Sequence, residues 1–271
     1  MKFTVLTLFP EITDAFFANS IMAKAVKKEI IKYQAINIRD FALDKHKTCD
    51  DAPYGGGAGM LMLAEPLSLA LEYAGAGKKM NREQGTDNEN CDSGRFHQTA
   101  LPSSPRVIYL SPSGKLFNQN MAKELAKERE LILICGRYEG IDQRIIDMYV
   151  DDEISVGDYV LSSGEVAALA VIDAVYRLVG NVICSESLDE ESFSGGLLEY
   201  PQFTRPDVFD TIKVPEVLLS GHHEQIRLWR LEKRVEKTFL QRPDLIQRGR
   251  ELGFFNKEIN GIIDRISGEK K

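Results

Sequence analysis

The chain has 271 residues, of which 43% are apolar and 28% are charged, a composition typical of a globular protein with one large or two modest domains. No run approaches the roughly 18 apolar residues of a membrane span, and the amino terminus lacks the long apolar region of a signal peptide. We therefore expect a cytoplasmic protein with no membrane partner, and the net charge of -7 argues at first sight against a nucleic-acid partner.

Strands alternate with helices along residues 1–180, which is the pattern of a mainly parallel α/β sheet covered on both faces. Apolar, β-branched runs predict strands over Phe3–Leu8, Tyr33–Ile38, Val107–Leu110 and Leu131–Cys135. Helical patterns lie between and after them, over Ile21–Lys28, Glu65–Tyr73, Asn118–Lys127, Ile141–Met148 and Glu165–Leu178. This order predicts an α/β domain over residues 1–180.

Two polar stretches interrupt the pattern. Residues 75–105 are rich in Gly, Asn, Asp, Gln and Ser, which indicates a long surface loop. Residues 181–196 are acidic and rich in Gly and Ser, as a flexible interdomain linker would be. Beyond them, residues 197–271 are predicted to form a small all-α domain, with helices over Gly221–Leu240, Pro243–Arg250 and Asn256–Ile266.

The distribution of charge softens the objection to a nucleic-acid partner. Residues 197–271 hold 14 Lys and Arg against 12 Asp and Glu, and eight of these basic residues lie between His222 and Arg250 together with Trp229. A basic helix that carries an aromatic residue can follow a phosphate backbone. From charge alone, however, a solvated helix with internal Glu/Lys pairs is the favoured interpretation.

Several familiar site types are unsupported. The four cysteines, Cys49, Cys91, Cys135 and Cys184, form no CxxC pair, so we expect free thiols. The segment Ser111–Lys115 imitates the end of a phosphate-binding loop but lacks its first glycine and its final Ser or Thr. The glycines of 54–60 follow no strand, which excludes a dinucleotide fingerprint.

Six separated motifs, taken in order, carry more information than any one of them. They are Leu8–Pro10, Asp51–Met60, Tyr109–Pro112, Leu133–Asp142, Ser155–Leu161 and Tyr200–Pro206. Together they closely resemble the bacterial tRNA (guanine-N1)-methyltransferase family, TrmD, from residue 1 to about residue 243. The resemblance becomes weak only in the last helices and in the polar loop.

The resemblance implies a SPOUT-class fold, in which the carboxyl-terminal part of the α/β domain threads a loop to make a deep trefoil knot. It also implies a homodimer, because the active sites of the family form between two subunits. The methyl donor of the family is S-adenosylmethionine. By resemblance, the donor pocket is expected to contain Tyr109, Leu110, Ser111, Pro112, Gly136, Glu139, Gly140, Val156, Gly157, Asp158, Tyr159, Val160, Leu161 and Gly164.

Guanine N1 becomes nucleophilic only when its proton leaves, and negative charge then spreads onto O6, so the reaction calls for a base and a positive group. The resemblance assigns the positive group to Arg177, whose alternative role is helix capping. The family usually has aspartate before the Ser-Phe of the linker, whereas this chain has Glu191 there. Three interpretations stay open: Glu191 is the base, Asp189 takes its place in a linker one residue shorter than usual, or the enzyme is slow or inactive.

RNA, and not DNA, is the expected partner, with the target base leaving its stack. Phosphate contacts are expected from Arg205, Arg227, Arg230, Lys233 and Arg234. The family is associated with Mg²⁺, which Glu139 and the linker carboxylates could hold, although no ligand spacing demonstrates a metal site. The alternatives are a related knotted RNA methyltransferase with a different target atom and an RNA-binding protein without activity.

Overall fold

The computed structural model describes residues 1–79, 104–183 and 191–268. The chain divides into two compact units, Met1–Ile183 and Cys184–Lys271. Most of the polar loop predicted over 75–105 lies outside the described residues, as do residues 184–190 of the predicted linker.

The strands of the first unit are β1 (Lys2–Thr7), β2 (Lys32–Asn37), β3 (Asp50–Asp51), β4 (Leu61–Met62), β5 (Arg106–Leu116), β6 (Glu130–Cys135) and β7 (Asp152–Ser155). Five of them form a parallel sheet with the order β2-β1-β6-β5-β7, and β3 pairs with β4 in a separate antiparallel ribbon. Its helices are α1 (Pro10–Phe17), α2 (Ser20–Lys27), a 3-10 helix (Ile38–Phe41), α3 (Ala64–Tyr73), α4 (Gln119–Leu125), α5 (Gln143–Tyr149) and α6 (Gly164–Tyr176).

Apolar side chains cover both faces of this sheet, which is why the central strand β6 is a nearly continuous apolar run. In β6, Leu131, Leu133 and Cys135 belong to one buried cluster, whereas Ile132 and Ile134 belong to another. Consecutive residues of a strand point to opposite faces, so the two clusters are the two sides of the sheet. The predicted α/β class is confirmed; the trefoil knot stays a prediction.

Five elements of the first unit were not predicted, namely α1, the 3-10 helix, β3, β4 and β7, and one strand is longer than expected. Helix α1 begins at Pro10, in the favoured first helical position, and buries only Thr13 and Phe17. Strand β7 is short and half acidic, so it lacks the apolar run of a buried strand. Strand β5 continues past Leu110 to Leu116 and pairs with β7 again after a register shift, through a segment whose Ser, Pro and Gly are typical of turns.

The second unit is mainly helical, with α7 (Glu216–Leu219), α8 (His223–Gln241), α9 (Pro243–Glu251) and α10 (Lys257–Gly268). Its core contains Leu197, Val235, Ile246, Phe255, Ile262 and Ile263. A 3-10 helix at Ser194–Gly196 and a short hairpin of β8 (Val208–Phe209) and β9 (Ile212–Lys213) precede the helices, so the prediction of an all-α segment was wrong in this detail. Across the described ranges, no helix is long and apolar enough to cross a membrane.

Candidate functional site

The candidate site lies at the carboxyl-terminal edge of three neighbouring parallel strands. Leu110 of β5 pairs with Cys135 of β6 on one side and with Ile154 of β7 on the other, and the pairing of β5 with β7 is then interrupted as far as Lys115. In open α/β sheets, ligands bind beyond the carboxyl ends of the strands. The turn-like segment of β5 after Leu110 and the turns that follow β6 and β7 enclose a cavity of about 260 Å³ at this edge.

The cavity has both apolar and polar walls, with aliphatic side chains, hydroxyl groups and several glycines in three turns. It is lined by Tyr109, Leu110, Ser111, Pro112, Gly136, Arg137, Tyr138, Glu139, Gly140, Ile154, Ser155, Val156, Gly157, Tyr159, Val160, Leu161, Ser162, Ser163, Gly164 and Ala167. Such a mixture suits a ligand with a flat apolar ring and polar substituents.

Two glycines bring the walls of the cavity together. The Gly164 amide donates to the Gly136 carbonyl at 2.9 Å, which joins the start of α6 to the turn after β6. A Cβ atom added at Gly164 would lie 2.8 Å from both Cys135 Cα and the Gly136 nitrogen. A Cβ atom added at Gly136 would lie 2.9 Å from the ring of Tyr109. Only glycine allows this close approach of backbone to backbone and of backbone to ring.

The glycine-rich segment 54–60 is held against one wall of the cavity. The Glu139 amide donates to the Met60 carbonyl at 3.0 Å, and the Met62 amide donates to the Gly140 carbonyl at 3.0 Å. The two segments are 78 or more residues apart in sequence, yet they are joined by main-chain hydrogen bonds on both sides of Glu139. The structure therefore brings together two motifs that the sequence analysis had treated separately.

Burial controls the ionisation of two groups at the strand ends. Burial, assisted by the charge of Glu153, raises the pKa of Tyr109, so the phenol is neutral near pH 7 and can donate a hydrogen bond. Burial and the nearby Glu165 raise the pKa of the Cys135 thiol well above its ordinary value. Cys135 is consequently a packing residue and not a nucleophile.

A buried carboxylate lies directly behind the cavity. Glu165, in the first turn of α6, is fully buried and accepts a hydrogen bond of 2.6 Å from the Thr7 hydroxyl at the end of β1. The same hydroxyl accepts from the Phe9 amide at 2.9 Å, and the Phe9 ring lies 4.3 Å from the guanidinium carbon of Arg137. These contacts connect the end of β1 to two walls of the cavity.

Of the fourteen residues expected to hold the donor, thirteen line this cavity. The exception is Asp158, which is exposed in the turn after β7 and is absent from the lining. Arg137, Tyr138 and the serines at 162 and 163 also line the cavity but were not among the residues expected to hold the donor. Arg137 and Tyr138 nevertheless lie inside the motif Leu133–Asp142.

The three residues expected to act in catalysis are distributed over both units. Arg177 is half-buried at the carboxyl-terminal cap of α6, in the first unit. Glu191 is half-buried at the point where the described chain resumes in the second unit. Asp189 lies outside the described residues.

The residues expected to bind RNA differ in their surroundings. Arg227 is paired with Glu224 at 2.9 Å and with Glu258 at 2.8 Å, and Lys233 is paired with Glu236 at 2.6 Å. The pairs with Glu224 and Glu236 lie within α8, as the charge pattern favoured, and Glu258 belongs to α10. Arg234, by contrast, donates to main-chain carbonyls near the amino-terminal end of its unit.

Arg205 and Arg230 line a second cavity of about 400 Å³, within the second unit. The Arg230 guanidinium lies 4.8 Å from the centre of the Tyr200 ring, and the rings of Phe203 and Trp229 are 6.3 Å apart. Where side chains are described, no group of three or more His, Cys, Asp and Glu residues could hold a metal ion.

Comparisons with known proteins agree over nearly the whole chain. The family model described as tRNA (Guanine-1)-methyltransferase TrmD matches residues 1–248. The tRNA (guanine-N(1)-)-methyltransferase of Treponema denticola is 60% identical over 269 residues, which cover 99% of this chain and 100% of that protein. Proteins of the same name from Treponema pallidum and Borreliella burgdorferi are each 53% identical, over 99% and 95% of this chain and over 97% and 100% of their own lengths.

Proposed function

This chain belongs to the tRNA (guanine-1)-methyltransferase family and methylates guanine N1 in tRNA; we propose that the S-adenosylmethionine that supplies the methyl group binds in the cavity at the ends of β5, β6 and β7. One observation carries the proposal. The three turns that the family resemblance assigns to the donor are separate in sequence, and they enclose a single cavity. On the same resemblance, we propose that the methylated guanine is the one next to the anticodon.

The chemistry of the cavity fits this donor. Leu110, Ile154 and Ala167 offer apolar surface for an adenine ring, and the serines and main-chain groups of the turns offer partners for its polar edges. Gly136 and Gly164 allow the walls of the cavity to pack directly against each other and against the Tyr109 ring. When bound, the donor supplies an electrophilic methyl group on its sulfonium.

The remaining steps fall to side chains of this protein. Glu191 takes the proton from guanine N1 as general base, and Arg177 stabilises the negative charge that develops on O6. Glutamate keeps the carboxylate of the family's aspartate and is one methylene longer. Asp189 is the alternative base. Glu191→Gln abolishes methyl transfer if Glu191 is the base, whereas Asp189→Asn retains it; unchanged turnover in Glu191→Gln assigns the role elsewhere.

The second unit grips tRNA. Arg205 and Arg230 line a cavity with three aromatic side chains, where positive charge and ring faces suit a phosphate and an unstacked base. Arg227 and Lys233 offer less, because each is already paired with glutamate. Affinity for tRNA consequently falls as the salt concentration rises.

Three finer features belong to the same proposal. The enzyme works in the cytoplasm as a homodimer, in which two chains complete each active site. We propose that a Mg²⁺ ion assists the reaction, with Glu139, an exposed carboxylate on the cavity wall, as one of its ligands. Analytical ultracentrifugation tests the homodimer, and a chelator titration of the methyl-transfer rate tests the role of Mg²⁺.

One assay tests the function itself. Unmodified tRNA transcript is incubated with the protein and S-adenosylmethionine, and the nucleosides of the digested product are identified by mass spectrometry. The expected product is 1-methylguanosine. A methyl group on ribose or on another base atom would identify a related enzyme with a different target, and absence of donor binding by calorimetry would favour an RNA-binding protein without activity.

A further inference from the structure

The segment that follows Glu191 is held in a defined turn. The Ser194 amide donates to the Glu191 carbonyl at 3.0 Å, and the Phe193 amide donates to the Leu197 carbonyl at 2.8 Å. Phe193 has a φ of 71°, in the left-handed region that side chains rarely adopt. A non-glycine residue in this conformation needs surrounding contacts to hold it.

Two side chains of α8, which we call the linker anchor, supply such contacts: Arg234 and Thr238. Arg234 donates through Nη2 to the Ser194 carbonyl at 3.0 Å and through Nε to the Leu198 carbonyl at 3.3 Å. Thr238 is fully buried; its hydroxyl accepts from the Leu198 amide at 2.9 Å and donates to the Arg234 carbonyl at 2.6 Å.

The chemistry of the anchor is specific to arginine. Its planar guanidinium presents two donors in a fixed fork, and here they reach two carbonyls that are four residues apart in the turn. A lysine ammonium is a single point charge and cannot hold both carbonyls in this geometry. The Arg234 head group is therefore engaged with main chain, and its expected contact with an RNA phosphate stays a prediction.

We propose that Arg234 is a positioning residue for methyl transfer: it fixes the turn Glu191–Leu198 and so holds the carboxylate of Glu191 where it can accept the guanine proton. The inference rests on the proposed role of Glu191. Arg234 bonds the Ser194 carbonyl, and the Ser194 amide bonds the Glu191 carbonyl, so two successive hydrogen bonds connect the guanidinium to the main chain of the base. Loss of the fork lowers the fraction of molecules in the productive geometry.

The test compares Arg234→Lys with Thr238→Val and Thr238→Ser in the full-length protein. Arg234→Lys keeps the charge and most of the stem, and we expect its kcat at saturating tRNA to fall roughly tenfold, with the KM values for tRNA and donor within about twofold of wild type. Thr238→Ser keeps the hydroxyl and retains more kcat than Thr238→Val. Arg248→Lys, at an exposed arginine of α9, is the matched control for the arginine-to-lysine change and leaves kcat unchanged.

A second readout does not depend on catalysis. Hydrogen exchange of the amides from 193 to 199 becomes faster in Arg234→Lys and in Thr238→Val, while amides in α10 exchange as in wild type. This measurement also shows that the variants are folded.

Three results overturn the inference. The first is a raised KM for tRNA and a smaller salt dependence of tRNA binding in Arg234→Lys with kcat unchanged, which would make Arg234 a phosphate contact. The second is unaltered hydrogen exchange of the amides at 193–199, and the third is full turnover in Glu191→Gln. Failure of the proposed function is a different result, because the wild-type protein itself would then form no 1-methylguanosine.

Discussion

Replacing Gly164 with alanine tests the cavity at the strand ends most directly. The new Cβ atom would lie 2.8 Å from Cys135 Cα and from the Gly136 nitrogen, and 3.1 Å from the Cys135 carbonyl carbon. All three are main-chain atoms at the end of the central strand β6, so no flexible side chain can move aside. The start of α6 must shift away from the turn after β6, and the hydrogen bond between Gly164 and Gly136 must lengthen.

The size of the effect follows from this crowding. Overpacking of this kind costs about 1–3 kcal/mol, which corresponds to roughly a 5- to 150-fold rise in the Kd for S-adenosylmethionine if the donor needs the undisturbed walls. Helix propensity acts in the opposite direction, because alanine is favoured over glycine by up to about 1 kcal/mol. A rise in the donor Kd therefore indicates steric crowding, whereas a fall indicates the helix propensity of alanine.

Isothermal titration calorimetry measures the donor Kd in the wild type, in Gly164→Ala and in a matched control. Gly180→Ala serves as the control, since an added Cβ atom there meets no atom within 4 Å. We expect weaker donor binding in Gly164→Ala and a wild-type Kd in Gly180→Ala. A Kd within about twofold of wild type in Gly164→Ala, with circular dichroism unchanged, would refute a donor site between these turns.

Three further predictions concern the surroundings of the cavity and the second unit. Thr7→Val removes the buried hydrogen bond to Glu165, and we expect the apparent Tm to fall by roughly 3–12 °C, measured by calorimetry with Glu165→Gln as the milder comparison; an unchanged Tm would contradict the pairing. Because the pKa of the Cys135 thiol is raised, iodoacetamide at pH 8 should label it in urea but not in the native protein, and rapid native labelling would disprove its burial. Arg205→Ala should reduce the salt dependence of tRNA binding by about 0.9 in the log–log slope, and Arg227→Ala by less because its glutamate pairs already neutralise it; equal changes would argue against this difference.

Apolar periodicity in the sequence predicted the central strands and most helices of the first unit. Strand β7 was not predicted because two of its four residues are acidic, and α1 was not predicted because it is short and has only two buried residues. The apolar periodicity of an element depends on how many of its residues are buried. Helix α1 buries few residues and β7 is too short to show a clear alternation, so neither can be distinguished from a loop.

The turns of the candidate site could be predicted from the sequence, but the tertiary hydrogen bonds that support the candidate site could not. Single motifs located the turns after β5, β6 and β7, and the family resemblance supplied their shared role. The pairing of Thr7 with Glu165 joins residues 158 positions apart, and no local pattern specifies it. The two carbonyls that accept from the Arg234 guanidinium are another such support: its place in a basic helix indicated RNA, which stays a prediction, and gave no sign of these main-chain contacts.

The crowding at Gly136 and Gly164 also bears on inhibitor resistance. At both glycines an added Cβ atom would lie less than 3.0 Å from main-chain atoms or from the buried ring of Tyr109. A competitive inhibitor that relied on the main chain at these positions would leave the enzyme few escape mutations there, because any side chain large enough to exclude the drug would also deform the walls that the natural ligand needs. Resistance would have to arise at lining residues that already carry side chains, such as Leu161 or Val160.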